Sequence, residues 1–181
     1  MQAARSAQEV HLNRYKEGDS LIGIQYGTQI DNQIIYSGQL GELPLSVKGT
    51  YAANSYLPYM QNSYDKSITL YRNFGGNSKL EGAYLTTKSN ATRSDLAVKE
   101  NWSDMRFQAT VKVPSGEILN VGKVAPQIES NGYKYLGGAD QIVVRKNAPI
   151  SKWTTTVFDK KTGRTYTIDE FKSAFPSEIK K

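Results

Sequence analysis

Cysteine is absent from this chain of 181 residues, and histidine occurs only once, as His11. The lack of cysteine excludes disulfides, thiol nucleophiles and zinc sites built on thiolates, and one histidine excludes a histidine cluster. Metalloenzymes and Ser-His-Asp enzymes are therefore not expected, and no metal ion is predicted. His11 itself is interpreted as a residue on the face of a helix.

Long apolar runs are also missing, because no stretch of the sequence approaches the roughly 20 apolar residues that a membrane-spanning helix requires. The first ten residues have no basic start followed by an apolar stretch, so we expect no cleavable signal peptide and predict export within a larger parent protein. The length fits one domain of ordinary size with a sizeable apolar core. We expect a soluble domain without stable membrane association.

Basic residues outnumber acidic ones, with 23 Lys and Arg against 17 Asp and Glu and a net charge of +6. The charges are scattered along the chain instead of forming the basic stripe that is typical of nucleic-acid binding. An acidic partner or an anionic small ligand suits this balance. Nucleic acid is not the partner we expect.

The pattern of residues divides the chain into three segments. Residues 1–65 predict a helix and short strands of an entry or accessory part, residues 66–150 a central core, and residues 151–181 a hairpin and helix that form an appendage. In the first segment we predict a helix at 2–16, strands at 21–24, 33–36 and 43–47, and a helix over 50–65 interrupted at Pro58.

Residues 106–113 alternate apolar and polar side chains, which is the period of a half-buried strand. Similar patterns predict further strands at 67–72, 118–124, 141–145, 154–158 and 165–168, a helical turn at 94–99, and a short helix at 169–175. The sequence thus predicts an α+β fold: a compact, curved, mainly antiparallel sheet with one or two peripheral helices.

Five short motifs follow one another in the central segment: Tyr71–Gly76, Gly82–Thr87, Val113–Gly116, Val124–Gln127 and Leu136–Gln141. Their order resembles the toxin domains of filamentous-haemagglutinin-like and other polymorphic bacterial proteins of contact-dependent inhibition, which read Y-R-x-x-G-G, G-x-Y-x-T, P-x-G, A-P-Q and G-G-x-x-Q. It is similar, more distantly, to the tuberculosis-necrotizing-toxin family of NAD glycohydrolases. The resemblance covers about Leu70 to Val144, under half of the chain.

This resemblance implies a secreted antibacterial toxin domain with an ADP-ribosyltransferase-like core. Such a domain is carried by a larger bacterial protein and acts in the cytoplasm of the target cell, where it cleaves the nicotinamide–ribose bond of NAD or NADP. The dinucleotide is the substrate and not a cofactor. A cognate immunity protein would hold the domain inactive in the producing cell.

The resemblance also implies three catalytic residues. Gln141 would place its amide beside the scissile ribose, Arg72 would present a fork of donors to the pyrophosphate, and Tyr84 would wall the nicotinamide ribose. From the residues alone, the alternative for Gln141 is a polar position on a strand, and the alternative for Arg72 is a surface salt bridge. A region that carries a functional histidine in the tuberculosis-type enzymes reads Trp102–Arg106 here, so Asp104 or Arg106 is the candidate to replace it.

The remaining candidate positions would bind the substrate. Gly75 and Gly76 would let the backbone approach it closely, Phe74 would stack on the ribose or lie in the core, and Arg93 would be a second phosphate-binding arginine. Asp140 precedes Gln141. Alternation along a strand turns these two side chains to opposite faces, unless Asp140 lies in the turn and reaches the same ligand.

Cleavage of this bond is compatible with a chain that has no cysteine and one histidine. Nicotinamide leaves as a neutral molecule, so shielding the oxocarbenium-like cation and positioning water can supply rate without a triad. The alternatives are an ADP-ribosyl cyclase or ADP-ribosyltransferase, a ribonuclease toxin, and a binding module without chemistry that uses the tail 153–181. For transfer, only Gln127–Glu129 matches a Q-x-E doublet.

Overall fold

The computed structural model describes residues 34–36, 50–52, 57–62, 67–114, 117–145 and 147–181. The helix predicted at 2–16 and the strands predicted at 21–24 and 43–47 lie outside these ranges. The described part of the chain is a mixed α+β structure with mainly antiparallel sheets and few helices, which confirms the predicted class. Within it, no helix is both long enough and apolar enough to cross a membrane.

The elements follow the chain in this order: β1 (Ile34–Tyr36), β2 (Leu57–Asn62), β3 (Ile68–Phe74), β4 (Tyr84–Leu85), α1 (Arg93–Leu96), β5 (Phe107–Val113), β6 (Ile118–Lys123), β7 (Gln127–Ile128), β8 (Lys134–Tyr135), β9 (Asp140–Val144), α2 (Ile150–Trp153), β10 (Thr154–Asp159), β11 (Arg164–Thr167), α3 (Ile168–Ala174) and a 3-10 helix (Pro176–Glu178). The strands predicted in the central segment and the tail are confirmed to within two residues at each end.

The strands form two main antiparallel sheets, where the sequence predicts one. The first sheet has the order β1-β2-β6-β9-β4 and the second has the order β11-β10-β5-β3, while β7 and β8 make a separate ribbon. The two sheets meet at one edge, where Tyr71 and Thr86 exchange backbone hydrogen bonds of 2.8 and 3.0 Å. This bridge lies between β3 of the second sheet and the end of β4 of the first.

Residues 57–62 form a strand, so the helix predicted over 50–65 is wrong there. β2 pairs with β1 on one side and with β6 on the other. Its register against β6 shifts between Leu57 and Met60, which is where Pro58 lies. Proline has no N–H to give to a regular ladder, and such an irregularity accommodates it. Pairing with β6 thus prevails over the helical spacing of the tyrosines.

One apolar core lies between the two main sheets. It includes Leu70 and Val111 from the second sheet and Val121 and Ile142 from the first, all of them fully buried. The tail contributes to the same core, because β10 pairs with β5 and Phe171 of α3 packs on Phe107 at a ring-centroid distance of 5.0 Å. The segment 151–181, predicted as an appendage, therefore continues the second sheet.

The hairpin of β10 and β11 is closed by a buried carboxylate, Asp159. It accepts hydrogen bonds from Nε and Nη2 of Arg106 at 3.0 and 2.9 Å, from the Lys161 N–H at 3.0 Å and from the Thr162 hydroxyl at 3.0 Å. The Arg106 hydrogen bond is the largest cause that lowers the pKa of Asp159 to about 2. Through these hydrogen bonds, Asp159 connects the turn of the hairpin to Arg106, the residue before β5.

We expect Asp159→Asn to lower the unfolding free energy at pH 7 by about 1.5–3 kcal/mol, since hydrogen bonds to a charged group are lost. A carboxyl whose pKa is lowered in the folded state stabilises it above its unfolded pKa and loses this contribution as the pH falls through the folded value. The difference between wild type and variant should therefore shrink between about pH 4 and pH 2. Urea unfolding at several pH values measures it, with the exposed Asp169→Asn as control; a constant difference would contradict the assignment.

Candidate functional site

A cavity of about 400 Å³ opens at the edge where the two sheets meet. Tyr71 and Thr86, which form the bridge between the sheets, both line it. Its volume lies within the range of small-molecule sites in proteins. The cavity collects residues from four of the five sequence motifs, among them three predicted catalytic residues: Arg72, Tyr84 and Gln141.

Arg72 lies on the buried face of β3. Its neighbours on this face, Leu70 and Phe74, are two residues before and after it and are apolar and buried. Its guanidinium donates to the Lys79 carbonyl from Nε and Nη2, at 3.3 and 2.7 Å, and to the Tyr84 carbonyl from Nη1, at 3.2 Å. Burial lowers the pKa of Arg72 to about 10, although the charge of Glu81 opposes this. The Arg72 guanidinium therefore keeps its positive charge at neutral pH.

The guanidinium lies directly over Gly82, which explains how two motifs fit together. A Cβ built on Gly82 would meet Nη2 of Arg72 and would lie 2.5 Å from its Cζ. The glycine of the second motif thus makes room for the arginine of the first. The surface ion pair that the sequence also allows for Arg72 is not found among the described residues, where its hydrogen-bond partners are backbone carbonyls.

Gly82→Ala is expected to displace the Arg72 side chain and to lower the unfolding free energy by about 1–3 kcal/mol, as overpacking does in a closely packed site. Thermal or urea denaturation measures the loss. In an Arg72→Met background the same alanine should cost much less, because the group that it contacts is gone. Equal losses in the two backgrounds would show that Gly82 serves another purpose.

The fourth and fifth motifs also meet at this cavity. Gly137 has φ +72°, and a Cβ there would lie 2.5 Å from the Val124 carbonyl oxygen and 2.9 Å from that of Ala125. The Gly138 N–H donates to the Val124 carbonyl at 2.9 Å. The backbone therefore passes closely over the A-P-Q motif, in which Ala125 and Gln127 line the cavity.

Asp140 and Gln141 both line the cavity, although strand alternation alone would separate them. Asp140 is the first residue of β9 and lies two residues after Gly138, which has a positive φ like Gly137, so it lies at the edge of regular strand geometry. Gln141 is 6% exposed, and its Nε2 donates to the Thr50 hydroxyl at 2.8 Å. Within the described residues, this hydrogen bond leaves the amide oxygen of Gln141 for a ligand.

Aromatic side chains stand around the cavity. Tyr84 and Trp102 line it and are 40% and 44% exposed, and Tyr71 lines it while half-buried. Exposed aromatic rings at a cavity offer flat apolar faces on which a planar ligand can stack. Tyr84 is thus in a position compatible with its predicted role, and Trp102 adds a wall that the sequence analysis did not assign.

Phe74 and the glycine pair, which the resemblance assigns to the substrate, do not line this cavity. Phe74 is fully buried and contacts Phe107 and Phe171, so of its two predicted positions it takes the one in the core. Gly75 and Gly76 have positive φ values of 138° and 63°, and a Cβ on Gly75 would meet the Asp104 carboxylate. The glycine pair makes room for the chain at Asp104 and is not among the residues that line the cavity.

Arg93 and Asp104 line a separate cavity of about 310 Å³, together with Lys160 and Thr92. Arg93 also donates from Nη1 to the Val98 carbonyl at 3.0 Å, and Oδ1 of Asp104 accepts from the Arg106 N–H at 2.9 Å. Asp104 and Arg106, the candidates to replace a histidine, therefore take part in hydrogen bonds outside the main cavity.

Besides Trp102, sequence reasoning missed two threonines that hold residues of the site. Thr50 holds Gln141 from 91 positions away, a contact for which the sequence carries no signal. Thr87 donates to Oδ2 of Asp140 at 2.5 Å, and it belongs to the second motif as its last residue. Its position in that motif was the available signal.

In the described part of the chain, no group of three His, Cys, Asp or Glu side chains is arranged to hold a metal ion.

Comparisons with known proteins give no further guide. The chain matches no family model, and no curated protein or solved structure is similar to it. The resemblance to glycohydrolase toxins, stated above from short motifs, therefore stays a prediction.

Proposed function

We propose that this chain is a secreted antibacterial toxin domain that cleaves the nicotinamide–ribose bond of NAD or NADP. The observation that carries the proposal is the cavity at the junction of the two sheets, which brings together Gln141, Arg72 and Tyr84 with Asp140. These residues come from three motifs that are separated along the chain. The ADP-ribosyltransferase-like core, delivery within a larger bacterial protein and inhibition by an immunity protein belong to the same proposal.

The walls of the cavity suit the nicotinamide riboside half of the dinucleotide. Tyr84 and Trp102 offer ring faces to a planar, positively charged ring, to which aromatic faces are attracted. Asp140 adds a carboxyl group, and Gln141 adds an amide that hydrogen-bonds ribose hydroxyls or water. As the glycosidic bond breaks, positive charge moves from the ring to the ribose, and these groups stabilise it there.

In this proposal, Arg72 has fewer N–H groups for the substrate than an arginine without hydrogen bonds to the protein would have. Its guanidinium has five N–H donors, and the three hydrogen bonds to carbonyls use three of them, which leaves two. Those two can donate to one phosphate oxygen or ribose oxygen. Its buried positive charge also attracts the pyrophosphate. Its hydrogen bonds to the Lys79 and Tyr84 carbonyls hold the backbone at Tyr84 in place.

Hydrolysis is favoured over transfer to protein by the position of Glu129. In the Q-x-E doublet, Gln127 lines the cavity but Glu129 does not. The Glu129 carboxylate instead accepts from the Glu100 N–H at 2.9 Å and from the Tyr135 hydroxyl at 3.2 Å. Glu129 is therefore not among the residues that could orient an acceptor side chain in the cavity.

The test is to incubate the purified chain with NAD and with NADP, and to identify the ribosyl product as well as nicotinamide. Free ADP-ribose, or its 2′-phosphate from NADP, together with nicotinamide would support the proposal. A cyclic product or a protein-linked product would assign the chain to cyclases or transferases. If neither dinucleotide is turned over or raises the melting temperature, the proposal fails, and RNA would be the next substrate to try.

A further inference from the structure

Asp140 lines the main cavity, and one of its two carboxylate oxygens has no hydrogen bond within the described part of the chain. The side chain is 1% exposed, and the Thr87 hydroxyl donates to Oδ2, whereas Oδ1 is buried and has no partner among the described residues. A buried oxygen without a donor is costly, and such atoms in native proteins call for a physical reason. A donor that arrives in the cavity would satisfy it.

The charges around Asp140 are few. Lys123 of β6 is its cross-strand neighbour and favours the ionised form, as does the hydrogen bond from Thr87. Burial acts in the opposite direction and is larger, so the pKa of Asp140 is raised to about 7. Arg72, Tyr71 and Tyr84 are the other charged or titratable residues that line the cavity with it. Nearby, Lys88 and Asp95 pair with each other at 2.9 Å.

We propose that Asp140 is the catalytic base of this cavity, with Oδ1 accepting the proton of the water molecule that attacks the ribose. This inference rests on the proposed function. It gives Asp140 a role in the reaction beyond the substrate contact predicted from the sequence. The amide of Gln141, the next residue, holds the same water or the adjacent hydroxyl.

In the proposed step, the bond between C1′ of the ribose and the ring nitrogen breaks, and its electron pair goes to that nitrogen, which makes nicotinamide neutral. The oxygen of water forms the new bond to C1′. One proton of this water passes to Oδ1 of Asp140 and is later released to solvent. The products are ADP-ribose, nicotinamide and one proton, so atoms and charge balance without any further reactant.

Thr87 is the positioning residue for this base. Its hydroxyl fixes the carboxyl through Oδ2 and directs Oδ1 away from it. The same hydrogen bond lowers the pKa of Asp140, so its removal raises that pKa. Thr87→Val keeps the shape of the side chain and removes the donor. If Asp140 had only a structural role, this substitution would not shift the pH dependence of catalysis.

The experiment is the pH profile of kcat/KM for NAD cleavage by wild type, Thr87→Val, Asp140→Asn and a control, Thr165→Val, whose side chain is exposed on β11. For wild type, we expect the rate to fall about tenfold per pH unit below a midpoint near 7, because protonated Asp140 cannot accept a proton. Thr87→Val should move the midpoint to higher pH, and Thr165→Val should not move it.

Asp140→Asn should lower kcat by about 10²–10⁴-fold and remove the acidic limb from the remaining activity. Melting temperatures of all variants show whether they are folded. If either Thr87→Val or Asp140→Asn fails to fold, the pH profile of the other variant is compared with that of wild type. If wild type cleaves NAD but neither variant changes the acidic limb, Asp140 is not the base and the proposed function survives. If wild type cleaves neither dinucleotide at any pH, the proposed function itself fails.

Discussion

Gln141→Ala is expected to lower the rate of nicotinamide release from NAD by about 10²–10³-fold, which is the loss found when one preorganised hydrogen-bonding group is removed from a transition state. Gln141 is nearly buried in the cavity wall, and Thr50 holds its Nε2 at 2.8 Å. The amide is therefore fixed before the ligand arrives. Because charge on the ribose develops in the transition state, kcat should fall more than KM rises.

Gln108→Ala is the matched control for this prediction. Gln108 is also a strand glutamine and also 6% exposed, but its Oε1 accepts a hydrogen bond from the Asn90 N–H at 2.8 Å and the residue does not line the cavity. This control should lose stability and keep the rate per folded molecule. Equal rate losses in the two variants would mean that the effect of Gln141 is structural.

Phe171→Ala is expected to lower the unfolding free energy by about 3–5 kcal/mol, the range for a fully buried aromatic side chain. Phe171 is 0% exposed, and its ring lies 5.7 Å from that of Phe74 and 5.0 Å from that of Phe107. A cavity left there would be lined by rigid rings, which cannot close around it. This prediction tests whether the tail is part of the folded core.

Urea denaturation of Phe171→Ala and of Lys172→Ala measures the difference, since Lys172 is exposed on the same helix. The lysine variant should lie within about 0.5 kcal/mol of wild type. A loss below about 1 kcal/mol for Phe171→Ala would contradict the packing described here and would favour the appendage that the sequence pattern suggests.

The strands of the central segment could be predicted because their side chains alternate. β5 has buried Phe107, Ala109 and Val111 on its inner face, which is the pattern visible in the sequence. The partners of these strands could not be predicted in the same way. β10 pairs with β5 across more than 40 residues, and nothing local in either strand specifies this pairing.

The site could be predicted in part, through motifs whose residues contact each other. Arg72, Tyr84 and Gln141 line one cavity, and at glycines 82 and 137 one motif packs closely against another. Gly75 and Gly76 are different, because a glycine pair signals a close approach but does not identify what approaches. Here it is Asp104 of the same chain.

The most direct test of the central claim is a time course of nicotinamide release from NAD by the purified wild-type chain at pH 8. Our account predicts that nicotinamide accumulates to many molecules per molecule of protein, since ADP-ribose leaves and the site turns over. Release that never exceeds that of a protein-free control would contradict the claim that this cavity cleaves the dinucleotide.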